Sequence, residues 1–64
     1  MNDLRRASKL VGTAPDHKAV ERILDRARIA YHTVRQATPS TTTYEVLVTG
    51  PYGWEAVRTF TTTN

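Results

Sequence analysis

The chain has no cysteine among its 64 residues, so disulfides cannot staple it and thiolates cannot hold a metal. Its two histidines have no cysteine to complete a structural zinc site, and no metal is expected. Glycine occurs three times, too sparsely for a glycine-rich phosphate loop. No apolar run approaches the roughly 20 residues that cross a bilayer, and the first residues lack the apolar stretch of a secretory signal, so a cytoplasmic protein with no membrane contact is expected. No serine–histidine–acid or cysteine–histidine set is in view, and the carboxylates all fit as caps or surface charges. An enzyme is therefore not expected, and neither is a cofactor. Short length is the last scarcity: a domain this small buries only about 60% of its unfolded surface. Extra burial through a homo-oligomer is the expected compensation.

What is present is clearest near the C-terminus. Tyr44 to Thr62 reads as a β-hairpin around Gly50-Pro51-Tyr52-Gly53, where Pro51 fixes φ early in the turn and Gly53 can take a positive φ. A loop of Pro51, Tyr52 and Gly53 pairs Gly50 with Trp54, Val48 with Ala56, Leu47 with Val57, Val46 with Arg58 and Tyr44 with Phe60. Tyr44, Val46, Val48, Trp54, Ala56 and Phe60 then share one face; Leu47 and Val57 form a lone apolar pair among Glu45, Thr49, Glu55 and Thr59 on the other. Thr61 to Asn64 are expected to fray.

Upstream, Asn2 or Asp3 can cap a short helix carrying Leu4, Ala7 and Val11, with Gly12 as a left-handed stop. Thr13-Ala14-Pro15-Asp16 has capping-box spacing and predicts a second helix starting at residues 14 to 16, with Val20, Ile23, Leu24 and Ala27 as its inner stripe. Residues 29 to 35 admit two readings. A continued helix aligns Tyr31 and Val34 with that stripe but strands Ile29 on the charged face; a strand puts Ile29, Tyr31 and Thr33 on one side, and its β-branched and aromatic residues favour it. Ala37-Thr38-Pro39-Ser40-Thr41 reads as a loop. The expected architecture is one α+β domain over residues 1–64, two helices on one face of a three-stranded antiparallel meander. Its core would hold Leu4, Ala7, Val11, Val20, Ile23, Leu24, Ala27, Ile29, Tyr31, Tyr44, Val46, Val48, Trp54, Ala56 and Phe60.

The net charge of +3 is unevenly placed. Residues 1–36 carry Arg5, Arg6, Lys9, Lys18, Arg22, Arg26, Arg28 and Arg35 against Asp3, Asp16, Glu21 and Asp25, whereas residues 37–64 carry Arg58 against Glu45 and Glu55. A positive helical half favours an anionic partner. Lys18, Arg22 and Arg26 recur at i, i+4, i+8 and form a column that fits phosphates or an acidic protein patch; the plainer reading is a solvated helix face compensated by Glu21 and Asp25. Tyr52 and Trp54 at the hairpin tip, with Arg58 on the Trp54 face, make an aromatic-plus-guanidinium set suited to a nucleotide, against a Trp54 simply packed in the core. Arg58 on an apolar face must snorkel, pair with Asp25 or Glu21, or hold a ligand. Leu47 and Val57 are the candidate subunit contact, and the open edge of the third strand offers sheet extension as a second route.

Ile23-Leu24-Asp25-Arg26-Ala27, Ile29-x-Tyr31, and Tyr44-x-Val46-x-Val48-x-Gly50-x-Tyr52-Gly53 followed by Ala56 and Phe60 resemble a type of small protein common in actinobacterial phage genomes. That type carries a helix ending in Leu-x-Arg-Ala-Gly, then a three-stranded antiparallel sheet with a Gly-Tyr-x-Gly-aromatic hairpin. The resemblance covers residues 20 to 60 and departs from the type at Arg28, where the pattern has glycine, and after Phe60, where the others add a further strand. It implies a phage accessory product in the host cytoplasm and no particular activity. The functional expectation is a non-enzymatic accessory protein that binds a host protein or sequesters an anionic ligand such as a nucleotide. A basic nucleic-acid-binding protein is the alternative, and a self-assembling structural protein is the third class.

Overall fold

A computed structural model describes residues 2–64. Two helices, α1 (Leu4–Val11) and α2 (His17–Arg26), precede three strands, β1 (Tyr31–Ala37), β2 (Thr41–Gly50) and β3 (Gly53–Thr63). The strands form one antiparallel sheet in the order β1-β2-β3, and both helices lie against it: the α+β meander read from the sequence. Ala7 and Val11 of α1, Ala19, Val20 and Leu24 of α2, and Val46 and Val48 of β2 are buried together with Ala14 and Ile29. Leu4, Ile23, Ala27, Tyr31, Val57 and Phe60 pack around them.

Each helix is anchored by its ends. Asp3 N–H donates to the Thr49 carbonyl at 2.8 Å, tying the start of α1 to the end of β2. Asn2 Oδ1 accepts from Leu4 N–H at 3.2 Å, whereas the Asp3 side chain makes no capping bond. Gly12 ends α1 with φ −59°, so the left-handed stop expected there is absent. The cap of α2 is Asp16, whose carboxylate accepts from Ala19 N–H at 2.8 Å; the Thr13 box is not used, and Pro15 stands just outside the helix.

The segment after α2 is a strand, entered through a left-handed residue. Arg28 has φ +58°, the one positive φ at a non-glycine residue among those described. Ile29 N–H donates to Leu24 O at 2.9 Å and Arg28 N–H to Asp25 O at 3.1 Å, the paired bonds of a Schellman stop. Ile29 and Leu24 meet in the core beneath it, completing the hydrophobic contact such stops carry. Arg28 thus occupies the position where the resembled pattern has glycine.

The hairpin departs from expectation at its tip. Below it, Val46 pairs with Arg58 and Tyr44 with Phe60 as predicted. Above, Gly50 pairs with Gly53, Thr49 with Trp54, Val48 with Glu55 and Leu47 with Ala56. The loop is Pro51-Tyr52 alone, and the surplus residue sits at Val57 as a bulge between the Val46 and Leu47 pairings. Pro51 cannot adopt the positive φ of primed hairpin turns, and Gly53 at φ +125° takes up the reversal. Moving one residue from loop to bulge inverts every side chain between them. Trp54 and Ala56 therefore leave the expected core for the outer face, and Val57 leaves the outer face to pack against the core.

The last residues are ordered where fraying was expected. Thr61, Thr62 and Thr63 pair with Thr43, Thr42 and Thr41, and Asn64 N–H donates to Ser40 O at 2.8 Å. Within the β1–β2 loop, Thr38 Oγ1 accepts from the backbone N–H of Thr41 at 2.9 Å and of Ser40 at 3.3 Å, so the hydroxyl serves the amides a turn would leave open.

Candidate functional site

Alternation along the strands divides the sheet into two surfaces. On the helix side, Tyr31 O–H donates to Asp25 at 3.5 Å and Thr33 O–H donates to Glu21, which fastens β1 to α2. Burial raises the Tyr31 phenol above its ordinary value, and the Asp25 and Glu21 carboxylates push it further the same way. His17, the first residue of α2, stacks on Tyr44 with ring centroids 3.7 Å apart and planes 7° from parallel. Glu55 is pressed against Gly50, and its Oε2 is the buried side-chain oxygen without a partner among the described residues.

Arg58 also belongs to this side. Its guanidinium donates to the Val11 carbonyl at the C-terminus of α1 and lies 4.6 Å from the Phe60 ring. A cation at that end of a helix satisfies an orphan carbonyl and faces the negative pole of the helix dipole. Neither Asp25 nor Glu21 is its partner, and it does not share a face with Trp54. The nucleotide-binding set of Tyr52, Trp54 and Arg58 is thus not assembled: the bulge places Trp54 and Arg58 on opposite sides of the sheet.

The outer surface is uncovered. His32 and Val34 of β1, Leu47 of β2, and Trp54 and Ala56 of β3 project from it, with Trp54 46% and Val34 37% exposed. The rings of His32 and Trp54 meet edge to face at 4.5 Å, bridging the outer strands across Leu47. Tyr52 stands at the rim, 97% exposed. Glu45 is the one formally charged side chain that strand alternation places on this face, and at its rim the Asp3 carboxylate accepts from Thr49 Oγ1 at 3.3 Å. Of the two residues expected to make a subunit contact, Leu47 is on this surface and Val57 is not. The members sequence reading missed, His32 and Val34, carried a signal in the alternation of residues 29 to 35 once those residues are a strand.

The basic column lies on the opposite layer. Lys18, Arg22 and Arg26 are exposed, and Arg22 and Arg26 flank Ala19 and Ile23 in a shallow groove of about 260 Å³. The acids expected to compensate the column face elsewhere, since Glu21 and Asp25 are engaged with Thr33 and Tyr31. Among the described residues the one ion pair is Arg6 with Asp3, at 3.7 Å. No group of three or more metal-ligating side chains comes together among the described residues, and no helix there is long and apolar enough to cross a membrane. Comparison of the chain with family models, with curated proteins and with solved structures finds no match to any of them.

Proposed function

We propose that this chain is a non-enzymatic accessory binding protein, of the phage-borne kind it resembles, that engages a protein partner through the outer face of its sheet. One observation carries the reading: a patch of Trp54, His32, Val34, Ala56 and the half-buried Leu47, set among threonines, lies on the side of the sheet that the helices do not cover. Contiguous apolar surface of this kind marks interaction sites, and depletion of charge with tryptophan at the centre is the composition of an interface core. Both histidine rings rest against aromatic rings rather than beside a nucleophile, which supports a role in contact and not in chemistry.

The test is site-specific photocrosslinking in expressing cells, with the crosslinker at Val34 or Ala56 on the outer face and at Lys9 or Arg22 on the helical face. Discrete crosslinked products from the first pair and none from the second are expected. Products from the helical positions alone would move the contact surface to the other layer.

A second reading, capture of nucleic acid or another polyanion, is favoured by the uncompensated column of Lys18, Arg22 and Arg26. Phosphate contacts of this kind weaken steeply with salt. With the three cations of the column engaged, affinity for a random oligonucleotide should fall by about fortyfold between 50 and 200 mM salt. Absence of binding at low salt removes this reading.

A further inference from the structure

We infer that the tip of the hairpin exchanges between two registers, so that the outer face gains and loses its tryptophan as the surplus residue moves between the bulge and the loop. The inference rests on the binding role proposed above and adds a control built into that surface.

The bulged register leaves one charge poorly placed. Glu55 pairs with the fully buried Val48 and so points toward the helices, where its Oε2 is buried without a partner among the described residues. Its carboxylate fills the space that a Cβ on Gly50 would take, a fit that glycine at this position permits. A buried carboxylate oxygen with nothing to accept from weighs against the register that puts it there.

Moving the surplus residue from Val57 into the loop relieves it. With Pro51, Tyr52 and Gly53 all in the loop, Gly50 faces Trp54, Thr49 faces Glu55, Val48 faces Ala56 and Leu47 faces Val57. The carboxylate then reaches solvent beside Thr49, and the indole lies across the bare Cα of Gly50, a contact by which aromatic side chains cover glycine in sheets. Val57 gives up its packing on the core and joins Leu47 outside. Each register buries one apolar set and exposes the other. Only the tip moves: Val46 faces Arg58 in both registers, Arg58 is held by the Val11 carbonyl, and Tyr44–Phe60 and the threonine pairs continue below. The loop register is a minor state, populated on the order of 0.1–10% and reached in microseconds to milliseconds. A partner of the outer face binds the register with Trp54 outside and draws the tip into it.

Relaxation-dispersion nuclear magnetic resonance on the intact chain tests this. Exchange is expected at the amides of residues 50 to 57 and none at Thr43, Phe60 or Thr61. Glu55→Leu removes the stranded carboxylate and should lower the minor population at least about tenfold. Val57→Lys puts a cation where the bulged register would bury it and should invert the populations. Cross-strand Overhauser contacts then change from Gly50–Gly53 to Gly50–Trp54, Trp54 emission shifts to the blue, and crosslinking from Val34 falls at least about tenfold. Circular dichroism verifies that each variant is folded; if Val57→Lys is not, the parent and Glu55→Leu decide. A parent without dispersion across residues 50 to 57, dispersion unchanged in Glu55→Leu, or a folded Val57→Lys that keeps Gly50 opposite Gly53 overturns the inference. A chain of one register whose outer face still crosslinks a protein in cells overturns it while leaving the proposed binding function intact.

Discussion

Arg28 carries a cost that can be measured. Its φ of +58° lies where a Cβ crowds the following carbonyl, at about 1–2 kcal/mol for an ordinary residue. Glycine removes that crowding, but its extra freedom in the unfolded chain returns about 0.5–1 kcal/mol. A net gain of roughly 0.5–1 kcal/mol remains for Arg28→Gly over a variant that keeps the Cβ. The guanidinium complicates comparison with the parent, because a cation just past a helix C-terminus contributes about 0.3–1 kcal/mol. Arg28→Ala loses the same charge while keeping the Cβ, so glycine against alanine isolates the backbone term. In a domain of 64 residues each kcal/mol moves the midpoint by about 4–8 °C, and the glycine variant should melt roughly 2–8 °C above the alanine variant. Thermal melts followed by far-ultraviolet circular dichroism, with urea titrations to verify that the m-value is unchanged, provide the measurement. Equal midpoints, or alanine above glycine, would refute a strained left-handed stop and with it the account of how α2 hands over to β1.

Arg58→Met should destabilise the fold by about 1.5–3 kcal/mol, the range for a hydrogen bond from a charged group to a partly buried acceptor, with Arg58→Lys losing less; urea titrations in which methionine is harmless would show that the Val11 carbonyl does not need it. The raised Tyr31 phenol keeps its proton in the folded chain where the unfolded chain has lost it. Its contribution is therefore whole below the ordinary tyrosine value of 10.0 and disappears as pH climbs through the folded value. Tyr31→Phe should flatten the alkaline fall in stability relative to the parent, and superimposable profiles above pH 10 would exclude this linkage. Deleting Val57 should leave Trp54 and Ala56 outside and the strand pairs intact, because the bulge alone absorbs that residue. The lost side chain would cost about 1.5–3 kcal/mol, and cross-strand nuclear Overhauser contacts showing Val46 no longer opposite Arg58 would contradict the register.

Legibility in the sequence followed the range of the interaction. Tyr44, Val46 and Phe60 were readable as inward because period-two alternation is a local signal and both strands agreed on it. At the hairpin tip the same signal is two-valued. Trp54 with Ala56 and Val57 with Leu47 are both apolar sets of opposite parity, so the pattern does not decide whether the surplus residue enters the loop or the strand. The start of α2 was ambiguous for a similar reason: Thr13 and Asp16 are both competent caps, and the choice falls to burial of Ala14, which needs the chain to run on past Thr13. Arg28 offered no local cue to a left-handed turn. The partner of Arg58 lies 47 residues away, and no spacing rule reaches it.

These ambiguities matter because the tip decides what the molecule shows to its surroundings. A three-residue loop would have placed the one tryptophan beneath the helices and left Leu47 and Val57 as a two-residue patch, too small to hold a partner. The bulge exchanges them, giving the core a valine that fits under α1 and α2 and giving the outer face a tryptophan that spans the sheet to His32. The same exchange separates Trp54 from Arg58, which lets the guanidinium close the end of α1. Cations and exposed aromatics therefore lie on opposite faces: a polyanion would meet the helices, and an apolar partner would meet the sheet.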